Sequence, residues 1–166
     1  MTDVDFRTAT EEDWPAIWPI FEAVVRAGDT YTYSADIDEV GARSLWLKPG
    51  VGRAFTYVAE MDGGVVATAY VKPNQDGPGD HICNAGWMVA PEASGRGVGR
   101  RFAEWVIGQA RDLGYHGMQF NSVVATNTRA VGLWESMGFE IVGTVPDGFR
   151  HPTEGLVPFH VMFRRL

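Results

Sequence analysis

Asn127-Thr128-Arg129-Ala130-Val131-Gly132-Leu133-Trp134-Glu135-Ser136-Met137-Gly138-Phe139 carries the most information about how this chain folds. Asn127 is a favoured helix N-cap, since its side-chain oxygen accepts from a first-turn N–H. Gly138 supplies a stop, because glycine takes the left-handed conformation that closes a helix. The β-rich run Met118–Val124 lies before the segment and Glu140–Val145 after it. The reading is therefore strand, helix over about 127–137, glycine stop, strand.

Upstream, Val89-Ala90-Pro91-Glu92-Ala93-Ser94-Gly95-Arg96-Gly97-Val98-Gly99-Arg100-Arg101-Phe102 ends a strand, passes three alternating glycines and starts an apolar-periodic helix at once. Glycines let successive N–H groups converge, and a helix start adds unpaired donors and partial positive charge. Such a loop suits a pyrophosphate, with Arg96, Arg100 and Arg101 able to add charge. It also suits a plain chain reversal. It contains no Gly-Lys-Ser/Thr, and its glycine spacing is not GxGxxG.

Elsewhere, Thr10 and Asp13 have capping-box spacing ahead of Ile17, Phe21, Val24 and Val25, giving a helix over about 11–27. A second helix over about 36–47 follows, with Ser34 or Asp36 as its cap, and Gly28–Tyr33 between the two is a loop with two aromatic tips. Val4–Thr8, Ala54–Met61, Val65–Val71, His81–Val89 and Leu156–Arg165 read as strands, and Asp62-Gly63-Gly64 as a hairpin turn. Val98, Phe102, Val106, Ala110 and Leu113 place a helix over about 97–113. Hairpins imply antiparallel pairing, and the strand–helix–strand unit over 81–124 implies a parallel crossover. The expected class is α/β with a mixed sheet, not a doubly wound one.

The 166 residues fit one domain, and 45% hydrophobic with 21% charged residues is ordinary for a globular protein. A net charge of −7 without a Lys/Arg cluster argues against nucleic acid as principal partner. No run of 18 apolar residues suggests a membrane span, the acidic start is unlike a signal peptide, and Cys83 has no cysteine to pair with. These features lead to the expectation of a cytoplasmic protein. The oligomeric state stays open, a homodimer being one option.

The two quoted segments together resemble the GNAT N-acetyltransferase superfamily, whose motifs take the form Arg/Gln-x-x-Gly-x-Gly/Ala and Asn-x-x-Ala-x-x-Leu-Tyr-x-x-x-Gly-Phe. The resemblance spans essentially the whole chain, 1–166. It implies a mostly antiparallel twisted sheet of about seven strands flanked by about four helices, acetyl-CoA as cosubstrate, no metal, and an amine as acetyl acceptor. On that resemblance Gly95, Arg96, Gly97, Val98, Gly99 and Arg100 should hold the coenzyme pyrophosphate. Met88 and Val89 should bond the pantetheine like an added strand, with an N–H there for the oxyanion. Asn127 should meet the pantetheine or the adenosine part. Two positions depart from the pattern. Ser94 stands where the family has Arg or Gln, and Trp134 where it commonly has the Tyr that protonates the leaving thiolate. Indole N–H is a donor and not a useful acid, so Trp134 is expected as a wall of the acceptor pocket or as core.

Asn84 and Asn121 lie within strands, where Asn is depleted. Either they are ordinary bonded core groups, or they face the cleft and grip the acceptor or the thioester carbonyl. Asn84, Asn121, Asn127 and Trp134 together resemble the azetidine-2-carboxylate acetyltransferases of yeast, which acetylate toxic proline analogues. That resemblance implies catalytic roles for Asn84 and Asn121 and an acceptor carboxylate held by Asn84. Trp87 joins Trp134 as a candidate pocket wall. Asp80, His81, His116, His151 and His160 are general-base candidates by type alone. Cys83 neighbours Asn84 and so faces the other side of its strand, which favours direct attack in a ternary complex over an acyl-cysteine. The expected activity is N-acetylation of a small-molecule amine, an amino acid or proline analogue among the options. A peptide N-acetyltransferase and a non-catalytic acyl-CoA sensor remain as alternatives.

Overall fold

A computed structural model describes residues 4–166; residues 1–3 of the expected domain lie outside the described residues. Seven strands form one sheet: β1 (Val4–Thr8), β2 (Phe55–Met61), β3 (Gly64–Pro73), β4 (Ile82–Val89), β5 (Gly117–Val124), β6 (Glu140–His151) and β7 (Gly155–Arg165). Their order is β1-β2-β3-β4-β5-β7-β6, antiparallel throughout except for the parallel β4–β5 pair. The β2–β3 turn has positive φ at Asp62 (53°) and Gly63 (80°), the geometry that matches strand twist in a two-residue hairpin.

Four helices cover the sheet: α1 (Trp14–Ala27), α2 (Glu39–Trp46), α3 (Val98–Asp112) and α4 (Thr128–Ser136). Register assigns their faces. Tyr70 pairs with Gly86 and lies under Trp46 of α2, ring centroids 4.9 Å apart, and Trp46 in turn meets Phe21 of α1 at 5.7 Å. Tyr57, Ala69 and Trp87 pair across β2, β3 and β4 on the opposite face, where Tyr57 meets Trp105 of α3 at 5.3 Å and Trp87 meets Trp134 of α4 at 4.9 Å. Hence α1 and α2 cover one face, α3 and α4 the other. A Cβ at Gly86 would lie 2.7 Å from Tyr70 Cε1, so glycine is needed there for Tyr70 and Trp46 to reach the strand.

Several expected boundaries shift. Residues 11–13 form a 3-10 turn instead of the first turn of α1, with Asp13 Oδ2 accepting from Thr10 N–H at 2.7 Å. The cap of α2 is Asp38, which accepts from Gly41 N–H at 2.8 Å; Ser34 and Asp36 lie outside the helix. Strand β6 runs twice as far as Glu140–Val145 suggested, through Pro146-Asp147-Gly148. It is an edge strand, and its register shifts between Val145 and Phe149 with Asp147 at φ 54°, so a bulge absorbs the proline.

The feature that positions everything else is a fork. Strands β4 and β5 pair only at Ile82–Gly117, Cys83–Met118 and Asn84–Gln119, although β4 continues to Val89 and β5 to Val124. Beyond Asn84 the two strands part, and β5 stays with β7.

Candidate active site

Asn84 sits at the crotch of the fork. It is buried, Nδ2 donating to Gln119 O at 2.9 Å and Oδ1 accepting from Tyr70 O–H at 2.8 Å. The amide thus ties the last paired residue of β5 to β3 through the tyrosine. Asn121 lies where β5 slips register between Phe120 and Val123. Its Oδ1 accepts from Gln119 Nε2 at 2.9 Å, and its Nδ2 donates to Asn74 Oδ1 at 2.8 Å. Both asparagines line the cleft that opens between the strands, as do Asn127, Trp87 and Trp134. Both amides are also engaged by protein groups; Asn84 is a bonded core group that lines the cleft, whereas Asn121 is exposed and so is not a core group.

The cleft has a volume of about 260 Å³ and passes between the two faces of the sheet. On the α1/α2 side it is walled by Tyr31, Tyr33 and Tyr70, whose burial raises each hydroxyl well above the ordinary tyrosine value. On the α3/α4 side Trp134 closes it, its ring 4.9 Å from Trp87 and 4.7 Å from Phe120. No Asp, Glu, His, Lys or Arg among the described residues lines it. Thr30 and Trp87 both line it, and their Oγ1 and Nε1 atoms are buried without a hydrogen-bond partner.

The free edge of β4 follows from strand parity. Ala90 N–H donates to Val66 O and Asn74 N–H to Ile82 O, so even-numbered residues of β4 direct their backbone groups to β3. Met88 is one of these and its side chain is buried, so the expectation that it binds pantetheine through its backbone is not what the geometry offers. Trp87 and Val89 face the fork instead. Tyr31 occupies the Trp87 position: its hydroxyl donates to Trp87 O at 2.6 Å and accepts from Trp87 N–H at 3.0 Å. That leaves Val89 with an unpartnered edge.

The loop into α3 lies against the same edge. Gly95 and Gly97 have φ of 81° and 78°, a region costly for other residues. Helix bonding begins with Arg101 N–H to Gly97 O, so the N–H groups of Val98, Gly99 and Arg100 take no backbone partner. Gly99 faces Val89: a Cβ there would lie 3.6 Å from Val89 Cγ2. Arg100 donates to Ser136 Oγ at 2.5 Å, and Arg96 is exposed. Arg101 points elsewhere, its guanidinium over the Phe6 ring at 6.0 Å. The departure at Ser94 is answered from α4, where Arg129 Nη1 donates to Ser94 Oγ at 2.9 Å. Asn127 caps α4, accepting from Ala130 N–H at 3.2 Å.

None of the general-base candidates reaches the cleft. Asp80 pairs with Arg53, His81 packs on His116, His160 bonds Thr144, and His151 lies beside Glu154. Cys83 is fully buried and its thiol is pushed up to about 12 by desolvation, which leaves no thiolate for acyl transfer. Sequence reading missed Thr30, Tyr70, Phe120 and Arg129. Of these only Arg129, inside the quoted helix segment, carried a signal.

A forked parallel pair, a glycine cradle facing its free edge and an aromatic cleft behind it agree with one family, and the profile of the acetyltransferase (GNAT) family matches residues 10–139. The chain belongs to that family. Among solved structures, a GCN5-related N-acetyltransferase from Kribbella flavida is similar to this GNAT chain, 48% identical over 98% of each chain with a TM-score of 0.94. The N-acetyltransferase aca1 of Schizosaccharomyces pombe is 38% identical over 81 residues, 49% of this chain. That match spans 39% of the yeast protein's length. A phosphinothricin acetyltransferase from Sinorhizobium meliloti, solved in complex with AcCoA, shares the fold at 22% identity and a TM-score of 0.86, covering 100% of this chain and 89% of its own. Among the described residues no helix is long and apolar enough to cross a membrane, and no cluster of His, Cys, Asp and Glu could hold a metal.

Proposed function

We propose that this chain transfers the acetyl group of acetyl-CoA to the amine of a small molecule, by direct attack in a ternary complex. The observation that carries the proposal is the juxtaposition of Val89's free backbone edge with the unpaired N–H groups of Val98, Gly99 and Arg100. A phosphate-bearing thioester with an amide-containing arm fits that pair of donors. The pyrophosphate would rest on the turn from Gly95 to Arg100, with Arg96, Arg100 and Arg129 supplying charge. The arm would bond Val89, with Asn127 beside it. Acetyl-CoA supplies an acyl carbon already activated by sulfur. The Val89 N–H is the donor placed for the carbonyl oxygen as it gains charge. The C–N bond forms as the C–S bond breaks, the amine proton leaves to solvent, and the thiolate departs without an acid because its basicity is modest.

The cleft favours a small acceptor. At about 260 Å³ it lies below the roughly 300–1,000 Å³ of drug-sized pockets. Polycationic acceptors and lysine peptides are drawn by carboxylates, and none lines this wall. Asn84 and Asn121 would hold the acceptor end in shape, and Trp87 and Trp134 would flank a small ring. An amino acid or a cyclic imino acid such as azetidine-2-carboxylate meets these conditions. The test is thiol release from acetyl-CoA across imino acids, α-amino acids, aminoglycosides, polyamines and lysine peptides. Highest kcat/KM on a small amino or imino acid is expected; highest activity on polyamines or peptides would refute the acceptor class and leave acetyl transfer standing.

A further inference from the structure

We propose that the indole N–H of Trp87 and the hydroxyl of Thr30 form the acceptor's docking point, and that they select amines bearing a carboxylate or carbonyl oxygen close to the nitrogen. This rests on the acetyl-transfer reading and deepens it.

Among the described residues, Thr30 Oγ1 and Trp87 Nε1 are the buried side-chain polar atoms without a partner, and both residues line this one cleft. Leaving a buried donor unpaired is costly, so each such group calls for a partner, and a ligand bound in the cleft would supply one. Indole N–H can only donate. Whatever meets Trp87 must therefore present an acceptor atom, and a bare alkylamine has only the nitrogen lone pair, which it needs for attack on the thioester. Thr30 can donate to the same kind of atom.

The two groups are held in place by the surrounding structure. Tyr31, the residue after Thr30, clamps both backbone groups of Trp87 with its hydroxyl, at 2.6 and 3.0 Å. The Trp87 ring is wedged between Phe120 and Trp134 at centroid distances of 5.6 and 4.9 Å. The obvious competitor for the acceptor's oxygen, Asn84, has its carbonyl and one amide hydrogen committed to Tyr70 and Gln119. The role of gripping the carboxylate therefore falls to Trp87 and Thr30, and Asn84 fixes the fork. With no cationic side chain on the wall, recognition is by hydrogen bonds alone. A site built this way discriminates against analogues that lack the oxygen, because its own donors are then left unpaired.

The experiment uses matched pairs, proline against pyrrolidine and alanine against ethylamine, in the intact protein, its Trp87→Phe variant and its Thr30→Val variant. The readout is the ratio of kcat/KM for acid over bare amine. The wild type should favour the acid, and each variant should reduce that ratio about 10-fold or more while acetyl-CoA still raises the melting temperature. A wild type that is indifferent to the carboxylate overturns the proposal. So does an unchanged ratio in both variants. If Trp87→Phe fails to fold, Thr30→Val decides the question alone. Absence of thiol release with every amine, despite acetyl-CoA binding, overturns the acetyl-transfer reading itself and this inference with it.

Discussion

Gly99→Val, set beside Gly99→Ala, separates coenzyme binding from folding, because the family pattern accepts Ala as well as Gly at this position. Gly99 is the second residue of α3 and has an ordinary helical backbone, unlike Gly95 and Gly97. A methyl there meets only Val89 Cγ2, at 3.6 Å, an ordinary van der Waals contact. The free protein should therefore lose nothing and gain up to about 1 kcal/mol from helix propensity, raising its melting temperature by a few degrees. Gly99→Ala should therefore bind acetyl-CoA as the wild type does, whereas Gly99→Val adds a branched side chain beside Val89 and the unpaired N–H groups of α3, where the coenzyme is proposed to lie. At acetyl-CoA 1,000-fold above Kd, the wild type gains about 4 kcal/mol, or roughly 8–16 °C for a domain of this size. A 100-fold loss of affinity cuts that gain to about 1.4 kcal/mol, or roughly 3–6 °C. Differential scanning fluorimetry with and without acetyl-CoA reads both effects. A Gly99→Val protein that keeps the full ligand shift refutes the cradle. A Gly99→Ala protein whose free form melts several degrees lower refutes the packing argument.

Three further outcomes are expected. Trp134→Phe should raise the acceptor KM several-fold with kcat nearly unchanged, and Trp134→Tyr should not raise turnover; steady-state kinetics that show a large fall in kcat at constant KM would contradict a wall role. Arg129→Gln should raise KM for acetyl-CoA about 10-fold or more but leave KM for acetyl-pantetheine alone, because the guanidinium held by Ser94 serves the pyrophosphate that the shorter thioester lacks. Activity should rise with pH up to the acceptor amine's own pKa: no carboxylate or imidazole lines the cleft, and its tyrosines are pushed upward by burial, so only loss of the amine proton creates the reactive form. A pH profile that stays the same for amines of different basicity would show that an enzyme group titrates instead.

Local signals carried most of the fold. The glycine loop before α3, the Asn127 cap and the Asp62-Gly63 turn each specify their own backbone conformation, and the structure places each as read. What pairing decides was less visible. The length of β6 depends on its lying at the sheet edge, where Pro146 costs no ladder bond. The fork was invisible because β4 and β5 read as ordinary strands; their separation after three residue pairs is a property of the sheet. The site followed the same division. Residues inside the two motifs stand out by their spacing, whereas Thr30, Tyr70 and Phe120 come from segments that carry no motif and meet only through tertiary packing. Sequence alone does not give strand parity, so it does not separate Val89 from Met88.

The fork also accounts for why a neutral cleft occurs here. A parallel pair that parts midway exposes backbone N–H and C=O groups inside the protein, and each must be satisfied or matched to a ligand. Asn84 closes the crotch with an amide, which can both donate and accept without bringing a charge into a buried site. Tyr31 covers the next exposed residue in the same manner, serving the N–H and C=O of Trp87 with one hydroxyl. A carboxylate at either place could not donate, and a lysine could not accept. Each would also carry a desolvation cost that the opening, lined by aromatic rings, does not offset. Closing the fork with uncharged bifunctional side chains therefore goes with a cleft wall that carries no carboxylate or imidazole among the described residues. The chemistry must then suit an acyl donor activated enough to react with a free amine, and a thioester is such a donor.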